Sequence, residues 1–504
     1  MIKTDKINLI SSLNKIRKKN KKIVLCHGVF DLVHLGHIKH FKSAKSYGDY
    51  LVVSITVDKF IKKGPGRPLF NEDQRLEFLS QIKLIDKVIF SKSSSAEDVI
   101  KLVKPNYYVK GPDYLKNKND KTKKIYIEKK LVESFGGKIV YTKDQSFSSS
   151  KIINSNYLIF DEDQKKFLRK IKKKFSYSEI SEILDKFKKL NVLVLGELII
   201  DKYCFGNVIG KSGKEPHLVL KENKTEYYLG GSAAVVKHIA SFVNKADILS
   251  PFGFEKYYNK IINQEFSKNI NKNFFKPYKN YQTITKTRFV DKISGYKLFG
   301  SYVLPEKSEL NFEKYIKRVI QKKKKKIDMF LVCDYGHNFI SKNIANEIMK
   351  TKKMMSLNAQ VNSANTGYHS INKYSGISSL IINENELRQE LRDDKSSLEF
   401  LAKKIMLEKN IQSIIVTCGR LGAILVNDKF KVFKCPAFAK KTVDKVGAGD
   451  SMLAIASMGL KLKLDPELIL FISSLAASIS VESIGNKESV TVEKIDRMIE
   501  YILK

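Results

Sequence analysis

The sequence predicts an α/β protein of two units, each built on a mostly parallel sheet. Three observations predict it. Short apolar runs rich in Val, Ile and Tyr alternate with amphipathic helical stretches from about residue 22 onward. The alternation breaks once, at 155–190, where a Lys/Glu-rich stretch of helical period contains neither Pro nor Gly. On each side of that break, one strand-to-helix junction sets glycines beside reactive side chains: His34 and His37 before it, Asp450 after it.

The first unit is expected over 1–154. Its strands are KKIVLCH, YLVVSITV, KVIF, NYYVK and KIVYT, and helical patterns at 36–47, 71–82, 96–103 and 124–135 lie between them. The Asn/Lys-rich loop at 116–124 is expected to be solvated. Residues 155–190 read as a helical linker. The second unit, 191–504, opens with NVLVLGELIID and continues with short β-like pieces (YCFGNVIG, HLVLKEN, TEYYLGG) that predict a small side sheet.

Length and composition narrow the function. The chain has 504 residues, enough for two to four domains at about 150 residues each. Hydrophobic residues make up 43%, too many for a disordered chain. No apolar run approaches the ~18 residues of a membrane-spanning helix. The N-terminal stretch has no apolar core or small-residue cleavage site, so no secretory leader is expected. The five cysteines are scattered, and none forms a CxxC pair. That pattern argues against a disulfide framework or thiolate zinc site and predicts a reducing cytoplasm.

Net charge is +39, from 92 basic and 53 acidic residues, but only ten of the basic residues are Arg. Lysines spread over the whole chain predict attraction for small anionic substrates, not nucleic acid. No membrane partner is expected.

In the first unit, the strand ending at Cys26 runs into HGVFDLVHLGHIKH. His34 and His37 fall on one side of a first helical turn, where the dipole and free N–H groups favour phosphate. Two imidazoles there can stabilise charge growing on phosphorus. The string G-V-F-D-L-x-H-x-G-H resembles the cytidylyltransferase-like nucleotidyltransferases over residues 22–154. The resemblance implies a Rossmann-like domain in which Gly28, Phe30, His34 and His37 contact a triphosphate. The stretch Gly64–Pro68, the E-D-Q-R helix start and Tyr108–Tyr114 resemble the nucleotidyltransferase half of bacterial ADP-heptose synthases. They imply that Arg75 reaches triphosphate, that Lys110, Gly111 and Asp113 line the nucleotide pocket, and that Lys62 or Lys63 neutralises phosphate. The family's R-T-x-G-I-S-T turn is replaced here by SFSSSKII, which keeps hydroxyls at Ser148, Ser149 and Ser150 but lacks the Arg. ATP and CTP both remain open as the nucleotide.

In the second unit the strongest string is Asp444-Lys445-Val446-Gly447-Ala448-Gly449-Asp450, followed by an apolar helix. Gly447 and Gly449 let backbone N–H groups approach an anion at a helix start. Asp450 beside them can take a proton from an attacking hydroxyl. This resembles the ribokinase-like carbohydrate kinases of the PfkB family over 191–504.

The resemblance implies a ribokinase-like domain with a β lid and a set of roles. Gly447, Ala448 and Gly449 form the anion hole, and Thr417, Gly419 and Gly422 lie at the ATP site. Asn383 and Glu386 organise Mg²⁺. Asp201, Gly230 and Gly231 hold the sugar, and Lys286 and Arg288 grip a substrate phosphate. Two departures touch the sugar side. Ala234 stands where Asn is common, and LNAQVNSANTGYH (357–369) replaces a D-P-K/N-type stretch. That segment reads equally as a sugar-hydroxyl reader and as a polar loop.

Together the resemblances imply a bifunctional enzyme of activated-heptose synthesis for lipopolysaccharide, with the usual domain order reversed. One half is an ATP- and Mg²⁺-dependent kinase acting on the anomeric hydroxyl of a sugar phosphate. The other is a nucleotidyltransferase acting on a sugar 1-phosphate. Open alternatives are a cytidylyl transfer to another sugar or polyol, and a kinase-like domain that senses sugar without turnover. A homodimer through the side sheet, 203–229, is expected by the same resemblance.

Overall fold

Five parallel strands make the first sheet, in the order β3-β2-β1-β4-β5. They are β1 Ile23–Gly28, β2 Tyr50–Thr56, β3 Lys87–Ser91, β4 Tyr107–Lys110 and β5 Lys138–Tyr141. The computed structural model describes residues 3–61, 67–93, 95–111, 124–142, 160–278, 281–305, 312–439 and 441–503. β1 is apolar on both faces because both are covered. Ile23 and Leu25 enter one core with Val52 and Tyr108, while Val24 and Cys26 enter another with Leu51 and Val53.

Helices α2 Leu35–Lys45, α3 Glu72–Ser80, α4 Glu97–Val103 and α5 Lys124–Ser134 fall where the periodicity predicts. A further helix, α1 Lys3–Lys18, precedes β1; its Leu9 and Leu13 are buried in the first of those cores. The strand order reverses between β1 and β4. A crevice for ligands opens at such a switch point, outside the carboxyl ends of the strands. Gly28 and Lys110 end those two strands.

The chain divides into two units: Met1–Asp161 with Arg497–Lys504, and Glu162–Asp496. Residues 162–187 are helical, as α6 Glu162–Lys174 and α7 Tyr177–Phe187, and belong to the second unit. Phe167 of α6 packs against Phe438 and Phe471, and the Gln164 amide donates to the Ala437 carbonyl at 2.5 Å. Phe187 of α7 packs against Phe242.

The second unit holds a nine-stranded sheet in the order β11-β9-β6-β15-β16-β17-β18-β19-β20. Its centre is β6 Asn191–Gly196, β15 Met329–Asp334, β16 Met354–Ala359, β17 Ser379–Asn383 and β18 Ser413–Thr417, all parallel. β9 Lys245–Leu249 and β11 Ile270–Asn271 extend one side, while β19 Ala423–Val426 and β20 Val432–Cys435 turn back antiparallel on the other. The short strands β10 Pro251–Phe252 and β12 Lys276–Pro277 pair in a sheet of their own.

The side sheet has the order β14-β13-β7-β8, from β7 Leu198–Lys211, β8 Leu218–Gly231, β13 Ile284–Asp291 and β14 Lys297–Val303. The three short pieces expected there are two 14-residue strands. Register shifts at Phe205/Gly206 and Val208/Gly210 interrupt the alternation without ending the pairing. NVLVLGELIID likewise divides into β6 and β7, which belong to different sheets. Gly196 lies so near β15 that a Cβ would sit 2.1 Å from the Cys333 carbonyl oxygen. Glu197 then turns the chain outward, its carboxylate accepting from the N–H groups of Tyr335 and His337 at 3.1 and 3.2 Å.

The helices of this unit are α8 Ser232–Ala240, α9 Lys256–Glu265, α10 Glu313–Lys323, α11 Lys342–Lys350, α12 Glu384–Leu391, α13 Leu398–Lys409, α14 Ala448–Lys461 and α15 Pro466–Val481. No helix of the described residues is long and apolar enough to cross a membrane. All five cysteines are unpaired, and four are buried.

Candidate active sites

At the end of β1, Gly28 leaves room for the Phe30 ring: a Cβ would lie 3.0 Å from it. Phe30 takes a left-handed turn (φ 50°), which brings its ring against Phe41 and edge-on to His37. Asp31 ties this turn down. Its Oδ1 accepts from the Leu69 and Phe70 N–H groups at 2.7 and 3.2 Å, and its Oδ2 pairs with Arg67 Nε at 2.6 Å.

His34 then caps α2, its Nδ1 accepting from Gly36 N–H at 3.1 Å. His37 reaches back, its Nδ1 accepting from His34 N–H at 3.3 Å. With both Nδ1 atoms accepting, the proton of each neutral ring belongs on Nε2. Both rings are therefore hydrogen-bond donors without being cationic, and their centroids are 4.0 Å apart.

Across the switch point, Lys110 Nζ lies 3.2 Å from Glu128. Glu128 also accepts from the Tyr108 hydroxyl and the Ala96 N–H, both at 3.0 Å. Burial opposes its charge, yet Lys110 and that N–H hold its carboxyl below the usual range. A Cβ on Gly111 would meet open space.

Arg75 is placed differently from the triphosphate contact implied for it. Its buried guanidinium donates to the carbonyls of Phe70, Val29 and Thr56 at 3.0, 2.6 and 2.9 Å and to Asp58 at 2.6 Å. That fork is spent on joining loops. Arg67 is the opposite case: Nε pairs with Asp31, while Nη1 and Nη2 are buried and take no hydrogen bond among the described residues. Asp113, Ser148, Ser149 and Ser150 lie outside the described residues, as do Lys62, Lys63 and 64–66.

In the second unit, α14 starts at Gly447, which has φ 91° and gives no side-chain cap. A Cβ there would sit 2.1 Å from Asn486 Oδ1. Glycine thus leaves the first N–H groups of α14, from Ala448 and Gly449 onward, without a side chain across them. Gln360 faces Gly449, its amide nitrogen 3.5 Å from where a Cβ would stand.

Asp450, in the first turn, is buried; its Oδ1 accepts from the Tyr335 hydroxyl at 2.8 Å. Burial pushes its carboxyl up to about 6, with Asp201 adding to the shift while Tyr335 and Lys286 oppose it. The Asn amides of 357–369 have structural partners. Asn362 and Asn365 both donate to the Tyr335 carbonyl, at 2.9 and 2.8 Å, and Asn358 to that of Ile381 at 2.8 Å. Burial also raises Glu197, and the neighbouring Asp334 adds to it.

The Gly-Gly pair has a steric cause. A Cβ on Gly230 would lie 2.3 Å from Asp201 Oδ2, and one on Gly231 (φ 59°) 2.4 Å from the Glu197 carbonyl oxygen. Asp201 Oδ1 pairs with Arg288 Nη1 at 2.6 Å. The register of β13 with β7 sets Lys286 opposite Asp201. Burial lowers Lys286, while Asp201, Glu197 and Asp450 pull it back up. Asn383 and Glu386 form the capping box of α12: Asn383 Oδ1 accepts from Glu386 N–H at 2.9 Å, and Glu386 Oε2 from Asn383 N–H at 3.1 Å. Burial pushes Glu386 up to about 7. Thr417 ends β18. The turn after it needs Gly419 (φ 57°) and Gly422 (φ 96°), the latter because a Cβ would meet the Cys435 carbonyl oxygen at 2.0 Å.

The structure adds residues to which the sequence assigned no role: Asp31, Arg67, Glu128, Glu197, Tyr335, Gln360 and Asp444. Five had a readable signal. Asp31 and Asp444 stand inside the two quoted motifs, Arg67 inside the quoted Gly64–Pro68 stretch and Gln360 inside 357–369, and Glu197 follows directly on the last glycine of β6.

Two α/β units, each with glycines and reactive side chains at a strand-to-helix junction, define a phosphate-handling protein with two sites. Residues 189–493 match the family model of the pfkB family carbohydrate kinases, and 25–155 that of the Cytidylyltransferase-like family. The first match covers more than half of the sequence, and the chain belongs to the pfkB family of carbohydrate kinases.

Among curated proteins it is similar to Bifunctional protein HldE of Aliarcobacter butzleri, 38% identical over 126 residues (25% of this chain, 26% of that one). It is also similar to Bifunctional protein HldE of Syntrophotalea carbinolica, 36% identical over 140 residues (27% of each). The chain thus spans about a quarter of the length of these relatives. Among solved structures, Arabidopsis thaliana ribokinase complexed with ribose and ATP superposes with a TM-score of 0.50 at 16% identity, covering 62% of this chain and 99% of that one. That likeness shows the ribokinase-like fold.

Proposed function

We propose that the chain is a bifunctional sugar-activating enzyme. Its second unit phosphorylates the anomeric hydroxyl of a sugar phosphate, D-glycero-D-manno-heptose 7-phosphate, with ATP. Its first unit joins a sugar 1-phosphate to an NTP, giving an ADP-heptose-type product and pyrophosphate. The observation that carries this reading is the buried Asp450 at the uncapped start of α14, held by Tyr335 and in electrostatic reach of Asp201 and Lys286. The resemblance to ADP-heptose synthases and the printed name of the relatives support the pairing of two activities.

In the kinase step Asp201, Gly230 and Gly231 seat the sugar, and Lys286 and Arg288 meet its phosphate. Asp450 takes the hydroxyl proton as that oxygen bonds to the γ-phosphorus and the bond to ADP breaks. N–H groups of 447–449 receive the charge on the transferring group. Thr417, Gly419 and Gly422 border the ATP. Among the described residues no cluster of three His, Cys, Asp or Glu could hold a metal. The set nevertheless fits Mg²⁺, which keeps several waters and binds through one or two carboxylates plus substrate phosphates. Glu386 supplies such a carboxylate, with Asn383 orienting it. Bound there, Mg²⁺ neutralises phosphate charge.

In the nucleotidyl step, an oxygen of the sugar 1-phosphate bonds to the NTP α-phosphorus and pyrophosphate leaves. Nε2–H of His34 and His37 donate to the charge that develops. Arg67, with two buried N–H₂ groups unmatched, takes the phosphate contact that Arg75 does not make. Lys110, Gly111, Asp113 and Ser148–Ser150 complete the nucleotide pocket.

Five unpaired cysteines support a cytoplasmic location. Exposed Ile209 and Leu218 on the side sheet support a homodimer formed there, and sedimentation at micromolar concentration tests it. The test of function is a coupled assay. ADP release from ATP, Mg²⁺ and heptose 7-phosphate establishes the kinase. Pyrophosphate release from heptose 1-phosphate with ATP, and not CTP, establishes the transferase. Activity on another sugar phosphate moves the pathway and keeps the chemistry; silence across a panel of sugar phosphates overturns both.

A further inference from the structure

Asp444, the first residue of the D-x-x-G-A-G-D string, has no role in the chemistry above, yet it is the most densely bonded carboxylate near α14. Its Oδ2 accepts from the Tyr203 hydroxyl at 2.5 Å and from Gly485 N–H at 3.3 Å. Its Oδ1 pairs with Lys297 Nζ at 2.6 Å and accepts from Val446 N–H at 3.1 Å. Two of these partners are backbone groups, Val446 just before α14 and Gly485 in the loop after α15. The other two come from the side sheet: Tyr203 from β7 and Lys297 from β14.

Tyr203 is also two residues beyond Asp201 on the same strand, so both side chains face the same side of the sheet. The Arg288 guanidinium joins them, pairing with Asp201 and lying 5.2 Å from the centre of the Tyr203 ring. The neighbouring glycine keeps this contact close, since a Cβ on Gly485 would come within 3.2 Å of the Tyr203 ring.

We infer that Tyr203 and Lys297 are positioning residues that lock the side sheet to the phosphate-gripping loop through Asp444. The sugar-holding carboxylate Asp201 and the N–H groups of 447–449 then adopt their working geometry together. The inference rests on the kinase reading of this site. A sugar bound at Asp201 changes the charge that Arg288 feels, and Arg288 lies on the ring whose hydroxyl holds Asp444. The route from sugar to anion hole is therefore a chain of direct contacts. Neither positioning residue needs to touch ATP or sugar.

The test compares Tyr203→Phe and Lys297→Met with the unaltered full-length chain; the first removes one hydroxyl and keeps the ring and its packing. Hydrogen exchange of residues 444–450 without any ligand reads the lock itself. It is expected to rise several-fold in both variants, and unchanged exchange overturns the inference whatever the substrate. With ATP, Mg²⁺ and heptose 7-phosphate, kcat is expected to fall about tenfold, equivalent to about 1.4 kcal/mol. The KM for each substrate alone is expected to stay within about twofold, and Lys297→Arg to restore most of the rate. In the unaltered chain the sugar phosphate should tighten binding of ADP, and in Tyr203→Phe that tightening should vanish. Faster exchange with unchanged kcat and unchanged tightening also overturns it, leaving Tyr203 a packing residue. Absence of phosphotransfer in the unaltered chain counts against the kinase reading instead, while exchange still decides whether the lock exists.

Discussion

The two helix starts proposed to face phosphate are built in opposite ways. At α2 the N-terminal N–H groups are partly consumed by the protein itself: His34 and His37 cap them through Nδ1, which leaves Nε2 of each ring for the proton. At α14 no side chain caps the helix, and Gly447 leaves its first N–H groups uncapped. In the first site imidazoles replace backbone donors; in the second the backbone donates and a carboxylate is added. The difference teaches that a helix start is only a location. Whether it supports phosphate transfer through N–H groups or through rings depends on which residue stands at the cap.

The comparison breaks most decisively at Asp450. Asp450→Asn is expected to cut phosphotransfer by a factor on the order of 10³ while pyrophosphate release by the first unit is unchanged. The same change should not cost stability. The folded pKa, about 6, lies above the ordinary value of 3.8, so the ionised form weakens the fold as pH rises through that interval. The penalty is on the order of 2–3 kcal/mol at pH 7, and thermal unfolding at pH 7 and pH 4.5 should show the variant's advantage shrinking at the lower pH.

The histidine side is sharpened by His34→Asn. Asn caps a helix well, so the melting temperature should hold, whereas loss of Nε2–H should slow pyrophosphate release about 10²-fold. If His34→Ala and His34→Asn lose activity equally but only Ala loses stability, capping and chemistry are separate duties of one ring.

A smaller effect separates the sites by pH. With Asp450 required as the carboxylate, kinase kcat/KM should rise as pH climbs through about 6. Nucleotidyl transfer, which uses neutral imidazole donors, should show no limb from that group. The smallest effect is expected at Arg75. Arg75→Met should lower stability by about 1–3 kcal/mol, through unmatched carbonyls and Asp58, with little change in nucleotide KM. A large KM increase at unchanged stability would return Arg75 to the triphosphate.

Much of this was legible in sequence. The strands of both sheets are runs that must be apolar on two faces, and both helix starts carry their glycines in place. What could not be read has physical causes. α1 is Lys-rich, and over residues 8–18 only Leu9 and Leu13 are buried, too weak a stripe to announce a helix. The long strands β7 and β8 hide behind bulges that scramble the alternation of apolar residues. The resemblance that implied a phosphate contact for Arg75 cannot show that four oxygens of the protein already occupy its fork. Asp444 and Glu197 bond to partners more than 130 residues away, and no local pattern encodes that.

The length of β7 has a mechanical consequence. Its fourteen residues, at about 3.3 Å each, make a beam of roughly 45 Å anchored at Leu198 beside the sugar carboxylate. A tilt of a few degrees at that anchor becomes a displacement of several ångströms at Lys211. A tilt of β7 on binding at Asp201 would therefore be read most easily at the far end of the hairpin. A spectroscopic label at Lys211 should register occupancy of the sugar pocket from a distance at which it cannot touch the sugar.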